Sequence, residues 1–259
     1  MKAVSSRDNA AYKAAAKLVA SAAERRKRQL SVLDGTHLLA AYLDSGRKPE
    51  ELLVDARATT DRELVTLVDR CAPARVTLLS DALFNAISTV ESPTGVIAIV
   101  QTPEPQKAPY DAPLALLCEG LQDPGNVGTL LRSAAAAGAS HVLLSPTCAF
   151  AWSPKVLRAA MGAHFALGIE EGADLEAYVA SYQGTTVALT PRAKDSIYDA
   201  DLSGRCALLV GGEGAGLSPA LEAAAKVRAR IPMPGRMESL NAATAGSLAL
   251  FECVRRKTR

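Results

Sequence analysis

Residues 114–132, LALLCEGLQDPGNVGTLLR, decide the fold of the second half of the chain. The uninterrupted apolar run Leu114–Cys118 predicts a strand that is buried on both faces of a parallel sheet. A turn follows, and a helix is predicted from about Val127 to Ala137, with Gly138 just beyond its end. A buried strand, a turn and a helix in this order are the repeating unit of an α/β sheet.

The same alternation continues toward the C-terminus and predicts one α/β domain there. The predicted strands are His141–Ser145, Thr186–Thr190, Ala207–Val210 and Arg228–Ile231. The predicted helices are Pro154–Ala163, Asp174–Gln183, Pro219–Ala225 and about Ser239–Arg256.

A proline-rich stretch, QTPEPQKAPYDAP at residues 101–113, separates this region from a smaller one before it. Proline extends neither a helix nor a central strand, so this composition is typical of a linker. We therefore expect domains at residues 1–104 and 113–259, joined by a linker at residues 105–112.

The first domain also alternates helices with strands and is expected to be a small α/β sandwich. Asp8 or Asn9 is expected to cap its first helix, and the basic cluster Arg25–Arg28 is expected at that helix's C-terminal end. The later expected elements are strands near Ser31–Leu33 and at Glu51–Asp55, Arg75–Leu79 and Val96–Val100, with helices at His37–Ser45 and Asp61–Ala72.

Composition narrows the class of protein. The chain of 259 residues is 49% hydrophobic, enough for a core, and it contains no run of about 18 apolar residues that would span a membrane. Lys2 is followed by polar residues rather than by the apolar segment of a signal peptide, so a cytoplasmic location is expected. The net charge of +2 does not by itself indicate nucleic-acid binding. The cluster Arg25–Arg28 and a second one, Arg255, Arg256, Lys257 and Arg259, either contact phosphate or are solvated helix ends.

No metal site is expected. The five cysteines are scattered along the chain without the spacing of a metal knuckle, and the three histidines are isolated from one another. Cys118 and Cys206 lie in apolar runs and are expected to be small core residues.

Three loops that follow predicted strands are candidates for function, because ligands of α/β sheets bind beyond the carboxyl ends of strands. In the first loop, Asn126 is expected at a helix N-cap, and Arg132 lies one to two turns into that helix. A helix N-terminus beside an arginine is a reasonable phosphate site. An ordinary cap with a surface arginine is the alternative.

The second loop, GGEGAGLS at residues 211–218, is rich in glycine, which allows a ligand to approach the backbone closely. It lacks the third glycine of a dinucleotide fingerprint, where Leu217 stands, and the ending of a phosphate-binding P-loop. Glu213 would repel a pyrophosphate, so a cofactor with a cationic centre fits better than a nucleotide. A plain glycine-rich turn is the alternative.

The third loop, IPMPGRMESLNAATA at residues 231–245, begins with prolines that forbid regular structure. Ser239, Leu240 and Asn241 then open a helix of small residues that lets another backbone pack closely, either at a chain crossing or at a dimer face. A capped core helix without any site is the alternative.

Together, DPGNVGTLLRSAAAAGA, LVGGEGAGLS and IPMPGRMESLNAATA resemble, in order and spacing, motifs 1, 2 and 3 of the SpoU/TrmH methyltransferases of the SPOUT class. The resemblance covers roughly residues 112–257. The N-terminal region is similar to the small RNA-binding domain of many family members, which is related to kink-turn-binding ribosomal proteins.

The resemblance implies an α/β fold in which a C-terminal parallel-sheet SPOUT domain with a deep trefoil knot follows a small ribosomal-protein-like RNA-binding domain. It also implies a homodimer and S-adenosyl-L-methionine as cofactor, with Gly211, Ile231 and Leu240 binding it through their backbones. The full set of expected cofactor-binding residues is Leu189, Thr190, Pro191, Gly211, Gly212, Gly214, Ile231, Met233 and Leu240.

The activity that the resemblance implies is methylation of a ribose 2′-hydroxyl in RNA, a poor nucleophile that needs positioning and help with one proton. The residues expected to take part are Asn126, Arg132, Glu213, Ser239 and Asn241. Arg132 either accepts the proton or binds the 3′-phosphate and lowers the pKa of the hydroxyl. Asn126, Ser239 and Asn241 would orient the ribose, and Glu213 would hold Asn126 or Arg132 or favour the cationic sulfonium.

Ribosomal RNA is the expected substrate, because an added RNA-binding domain suits a large folded RNA. A tRNA ribose methyltransferase, a SPOUT enzyme that modifies a base, and a non-catalytic RNA-binding protein are the alternatives. A dinucleotide-dependent enzyme is disfavoured by Leu217 and Glu213.

Overall fold

The computed structural model describes residues 3–258, so Met1, Lys2 and the last basic residue, Arg259, lie outside the described part of the chain. The chain divides into two compact units. The first unit extends to Glu104 and includes Trp152–Phe165, and the second comprises Pro105–Ala151 and the residues from Ala166 onward.

The first unit is built on a four-stranded sheet in the order β1-β4-β2-β3. β4 runs antiparallel to both of its neighbours, whereas β2 and β3 are parallel. The unit is therefore an α/β structure, as the alternation of elements predicts. Its elements are α1 (Ala10–Ala20), α2 (Ala22–Arg28), β1 (Leu30–Asp34), α3 (Thr36–Asp44), β2 (Glu51–Asp55), α4 (Arg62–Arg70), β3 (Arg75–Leu79), α5 (Asp81–Ile87) and β4 (Val96–Gln101).

The expected single N-terminal helix is in fact two helices, and that prediction was wrong. Ser21 has an extended backbone, and its hydroxyl accepts a hydrogen bond from the amide of Glu24, which begins α2. Arg25 is buried, and its guanidinium donates to the carbonyl oxygens of Leu18 and Val19 at 2.6 and 2.8 Å. This member of the basic cluster therefore satisfies the carbonyls at the end of α1 and is not presented to a phosphate.

Residues 152–165 pack inside the first unit, although the sequence places them between strands of the second. Their helix, α7 (Pro154–Ala160), packs against β1. The Phe165 ring meets Tyr42 edge-on at a centroid distance of 5.2 Å, and Arg158 donates to the carbonyl oxygen of Thr89 at 2.7 Å. The two units are therefore not two uninterrupted stretches of sequence.

The second unit contains a seven-stranded sheet in the order β7-β6-β5-β10-β8-β11-β9, in which every neighbouring pair is parallel. The outermost strands, β7 and β9, are short or only half apolar, so the sequence pattern did not predict them. The elements are β5 (Leu114–Glu119), α6 (Pro124–Ala136), β6 (His141–Leu144), β7 (Gly168–Glu171), α8 (Leu175–Ser181), β8 (Thr185–Leu189), β9 (Asp195–Ser196), β10 (Cys206–Gly211), α9 (Pro219–Ala224), β11 (Val227–Arg230) and α10 (Ala242–Lys257).

The last helix, α10, packs back onto α6 and β10 near the middle of this sheet. A Cβ atom on Gly246 would lie 2.5 Å from Leu130 and 3.1 Å from Val210, so the small residue is required for this approach. The hydroxyls of Ser133 and Ser247 hydrogen-bond across the same helix pair at 2.7 Å. Part of the small-residue face is thus used within the chain.

The proline-rich stretch is ordered against the second unit. Tyr182 and Tyr178 donate from their hydroxyls to the carbonyl oxygens of Ala112 and Pro109, at 2.6 and 2.9 Å. Burial raises the pKa of Tyr178 to about 12, so this hydroxyl stays protonated and donates at neutral pH. The segment has a linker's composition but a fixed position on α8.

Within residues 3–258, none of the helices is both long enough and apolar enough to cross a bilayer. Over the same range, no group of three or more His, Cys, Asp and Glu side chains is arranged to hold a metal ion. Cys118 and Cys206 are fully buried, which confirms the prediction that they are core residues.

Candidate active site

The three candidate loops meet at one edge of the second sheet. β5 and β10 are parallel neighbours, with Glu119 opposite Gly211, and β8 lies on the other side of β10. Parallel strands bring their carboxyl ends to the same edge, so the segments after β5, β10 and β8 lie side by side. The third loop, which follows β11, joins them because β11 is parallel to β8. The carboxylate of Glu119 accepts the amide of Ser218 at 2.7 Å and ties the first of these loops to the second.

The second loop turns back on itself so tightly that two of its glycines have no room for a side chain. A Cβ atom on Gly211 would lie 2.1 Å from the carbonyl carbon of Gly216 and 2.3 Å from the amide nitrogen of Leu217. A Cβ atom on Gly212 would lie 2.5 Å from the carbonyl oxygen of Gly120 in the first loop. Gly214, by contrast, has open space around it.

These loops enclose a cavity of about 370 Å³ that adjoins a smaller one of about 90 Å³, and we call the two together the loop pocket. Leu189, Ile231, Met233 and Leu240 give it apolar walls, and the glycine loop gives it exposed backbone. All nine residues expected to bind the cofactor line the loop pocket, as do Glu213, Ser239 and Asn241. Their roles in binding and catalysis stay predictions.

A small hydrogen-bond network joins one residue from each motif. The side-chain amide of Asn126 donates to Oε1 of Glu213 at 2.8 Å, and the amide of Asn241 donates to the same oxygen. Asn241 also donates to the side-chain oxygen of Asn126 at 2.9 Å. Both partners of Glu213 in this network are neutral, and among the described residues no cation forms an ion pair with its carboxylate. The negative charge at the rim of the loop pocket is therefore held in place but not neutralised.

The expected N-cap at Asn126 is wrong. Asp123 caps α6 with its carboxylate, which accepts the amide of Asn126 at 3.0 Å, and Pro124 occupies the first helical position. Proline is favoured at that position, and this was the signal in the sequence that points to Asp123. Because Asn126 lies inside the first turn, its side chain is free of capping and is almost fully buried against Glu213 and Asn241.

Arg132 lies on the exposed side of α6 and does not line the loop pocket. Over residues 3–258 its guanidinium has no hydrogen-bond or ion-pair partner. Arg132 belongs to the same unit as the loop pocket but lies outside it. Its side chain is therefore available to a bound anion and not to a molecule inside the pocket.

The thiol of Cys118, which precedes the first candidate loop, is not available as a nucleophile. Cys118 is fully buried at the end of β5, and burial raises the pKa of its thiol well above the usual range. It therefore remains protonated at neutral pH.

Sequence reasoning missed part of the pocket wall. Glu222, on α9, reaches the loop pocket and forms an ion pair with Arg192 at 2.5 Å. No local pattern indicates this contact, because it depends on how α9 lies against the loop after β8. The other lining residues outside the expected set are Val210, Ala215, Gly216, Leu217, Ala229, Ala242 and Ala245.

Comparison with known families agrees with this arrangement. The profile of the SpoU rRNA methylase family matches residues 113–251, more than half of the chain. The chain belongs to this family. The first unit's sequence matches a second family, the MRM3-like substrate binding domain, over residues 9–98.

Relatives cover most of this SpoU-family chain. It is 33% identical to the 23S rRNA (guanosine(2553)-2′-O)-methyltransferase RlmP of Bacillus subtilis, over 88% of this chain and 90% of the relative. It is 31% identical to the mitochondrial rRNA methyltransferase 3 of Mus musculus, over 91% of this chain and 69% of that protein.

Solved structures share its fold. An RNA 2′-O ribose methyltransferase superposes over the whole of both chains with a TM-score of 0.87 and 29% identity. The SpoU methyltransferase AviRb of Streptomyces viridochromogenes, in complex with the cofactor AdoMet, superposes over 96% of this chain and 98% of its own with a TM-score of 0.85 and 26% identity. The predicted α/β fold with a parallel-sheet SPOUT domain is thereby confirmed.

Proposed function

We propose that this protein transfers a methyl group from S-adenosylmethionine to a ribose 2′-hydroxyl in RNA, with ribosomal RNA as the substrate. The observation that carries the proposal is the loop pocket, which the second and third motifs line together with the loop after β8, and in which Asn126 fixes Glu213 and Asn241. The first unit's match to a substrate binding domain supports RNA as the substrate.

The residues of the loop pocket fit such a cofactor. Its size lies in the range of small-molecule sites, and Gly211 and Gly212 leave a cradle that side chains would fill. The apolar walls suit an adenosine, and the uncompensated carboxylate of Glu213 suits a cationic centre. When bound, S-adenosylmethionine supplies a methyl group that is already activated as a sulfonium.

The chain's own residues then have to position the ribose and remove one proton. Asn241 and Ser239 line the pocket, where they orient the ribose hydroxyls, and the buried Asn126 positions Asn241 by accepting a hydrogen bond from its amide. Arg132, an unpaired cation on α6, binds the adjacent phosphate and favours the ionised 2′-oxygen, or accepts its proton.

The reaction is tested by methyl transfer from labelled S-adenosylmethionine to total RNA from cells that lack this gene, separated into ribosomal RNA and tRNA. We expect label in ribosomal RNA and one linkage that resists alkaline hydrolysis, because a 2′-O-methyl group blocks cleavage there. Label only in tRNA would identify tRNA, and not ribosomal RNA, as the substrate. Labelled RNA without a resistant linkage would indicate base methylation. Cofactor binding without transfer to any RNA would favour a non-catalytic RNA-binding role.

Glu213→Gln is expected to weaken S-adenosylmethionine binding about fivefold, because an exposed charge pair at about 4 Å is worth roughly 1 kcal/mol. The glutamine oxygen still accepts both amide donors, so only the charge is lost. The matched ligand is S-adenosylhomocysteine, whose sulfur is neutral, and isothermal titration should give it an unchanged affinity. Equal weakening of both ligands would contradict a charge effect.

The proposal includes a homodimer that uses the outer face of α10. Leu248 and Phe251 lie one helical turn apart on this face, with exposures of 42% and 49%. Exposed apolar side chains grouped in this way favour a protein interface. The partner surface would be the same face of α10 in a second copy of the chain.

Leu248→Glu combined with Phe251→Glu is therefore expected to convert dimers into monomers at micromolar concentration, as measured by sedimentation equilibrium. Val65→Glu is the control, because Val65 is an equally exposed apolar residue on α4 of the first unit. An unchanged mass for the double variant would remove α10 from the interface.

The deep trefoil knot is also part of the proposal. Its support is that Ile231–Asn241 passes from β11 to α10 along the loops after β8 and β10, with which it shares the loop pocket. The domain boundaries at residues 104 and 113 and a cytoplasmic location remain proposals as well. The proposal of a cytoplasmic location rests on the proposed RNA substrate and on the five cysteines, all of which are free thiols.

A further inference from the structure

A second cavity, of about 540 Å³, lies beside the loop pocket and has no part in the proposed reaction. It shares Thr190, Arg192 and Glu222 with the loop pocket, so the two cavities are neighbours. We call it the basic pocket. Its charged lining residues are Arg192, Lys194, Asp195, Glu222, Lys226 and Arg228.

Two of the four cations are already engaged. Arg192 forms its ion pair with Glu222, and Lys226 donates from its ammonium to the carbonyl oxygen of Gly184. Lys194 and Arg228 are exposed, and within the described part of the chain neither side chain has a hydrogen-bond or ion-pair partner. Two cations that face one cavity without partners are available to an external anion.

The remaining carboxylate, Asp195, does not cancel them. With four cations and two carboxylates, the lining carries a formal charge of +2. The loop pocket next to it has the opposite character, because Glu213 is its uncompensated charge. The two cavities therefore select different ligands, a cation-centred one in the loop pocket and an anion in the basic pocket.

We propose that the basic pocket binds the phosphate backbone of the RNA substrate next to the methylated nucleotide, through Lys194 and Arg228. This inference rests on the proposed function. A strand whose ribose lies at the rim of the loop pocket continues past the wall of Thr190 and Arg192 into the neighbouring cavity. A positively charged groove that follows the backbone is the usual way in which proteins hold single-stranded RNA.

The test is the full-length double variant Lys194→Ala/Arg228→Ala, assayed for RNA binding at several salt concentrations. Two lost phosphate contacts should reduce the slope of log Kd against log salt by about 1.4, since each contributes about 0.7 for a single strand. At low salt we expect the KM for RNA to rise about tenfold or more, with kcat at saturating RNA and S-adenosylmethionine affinity nearly unchanged.

The matched control is Lys107→Ala/Arg205→Ala, which removes two exposed cations of the same unit that line neither cavity. An equal slope for both double variants would overturn the assignment, and so would a loss of S-adenosylmethionine affinity in the test variant alone. If the unsubstituted protein methylates no RNA, the proposed function fails. If it methylates RNA and the test variant behaves like the control, only the proposal that the basic pocket binds RNA fails.

Discussion

Replacing Arg132 with alanine is expected to lower kcat for methyl transfer by about 100-fold or more while leaving S-adenosylmethionine affinity within about twofold. Both proposed roles act on the reacting hydroxyl, and groups that move a proton or stabilise developing charge contribute at least this much. Cofactor affinity is preserved because Arg132 does not line the loop pocket. Single-turnover transfer and isothermal titration measure the two quantities separately.

Arg132→Lys distinguishes the two roles. A lysine keeps the positive charge, so a phosphate clamp retains part of the activity with an unchanged pH profile. If residue 132 is instead the proton acceptor, the profile of kcat against pH shows its ionisation. In the lysine variant this ionisation moves to lower pH, because the pKa of lysine is below that of arginine. Arg205→Ala, which removes an exposed arginine of the same unit, is the control for nonspecific charge loss. Equal loss of cofactor binding in Arg132→Ala would contradict its assignment to the RNA side of the reaction.

Gly211→Ala is expected to abolish S-adenosylmethionine binding and to lower the free energy of unfolding by about 2–3 kcal/mol. The added methyl group would meet backbone atoms of Gly216 and Leu217 at 2.1–2.4 Å, and backbone cannot rotate away as a flexible side chain does. The loop must therefore shift, which costs stability as overpacking does and opens the wall of the loop pocket. Chemical denaturation and titration with the cofactor measure the two effects.

Gly214→Ala is the matched control in the same loop. A Cβ atom there meets nothing within 4 Å, so stability should stay within about 0.5 kcal/mol of the unsubstituted protein. Cofactor affinity that survives in Gly211→Ala, or that is lost equally in both variants, would contradict the close backbone approach as the reason for the glycine.

Much of the second unit could be predicted because its signals are local. The buried run Leu114–Cys118 predicts a central parallel strand, and β5 is found at Leu114–Glu119. Short glycine- and proline-containing stretches after strands predict ligand loops, and the structure brings them to one edge. The edge strands β7 and β9 were not predicted, because they are stabilised by pairing with β6 and β11 rather than by an apolar pattern of their own.

The sequence by itself determined the element types, the positions of the three loops and the resemblance of their motifs to one family, because strand burial, turn chemistry and helix caps act over a few residues. Only the tertiary structure decided which side chains meet. Asn126 contacts Glu213 and Asn241 across 87 and 115 residues of chain, and Lys194 and Arg228 face one cavity only because β8, β9 and β11 pair beneath it. The packing of residues 152–165 in the first unit is of the same kind. Such contacts depend on strand order and on the return of distant segments, and no window of sequence encodes these.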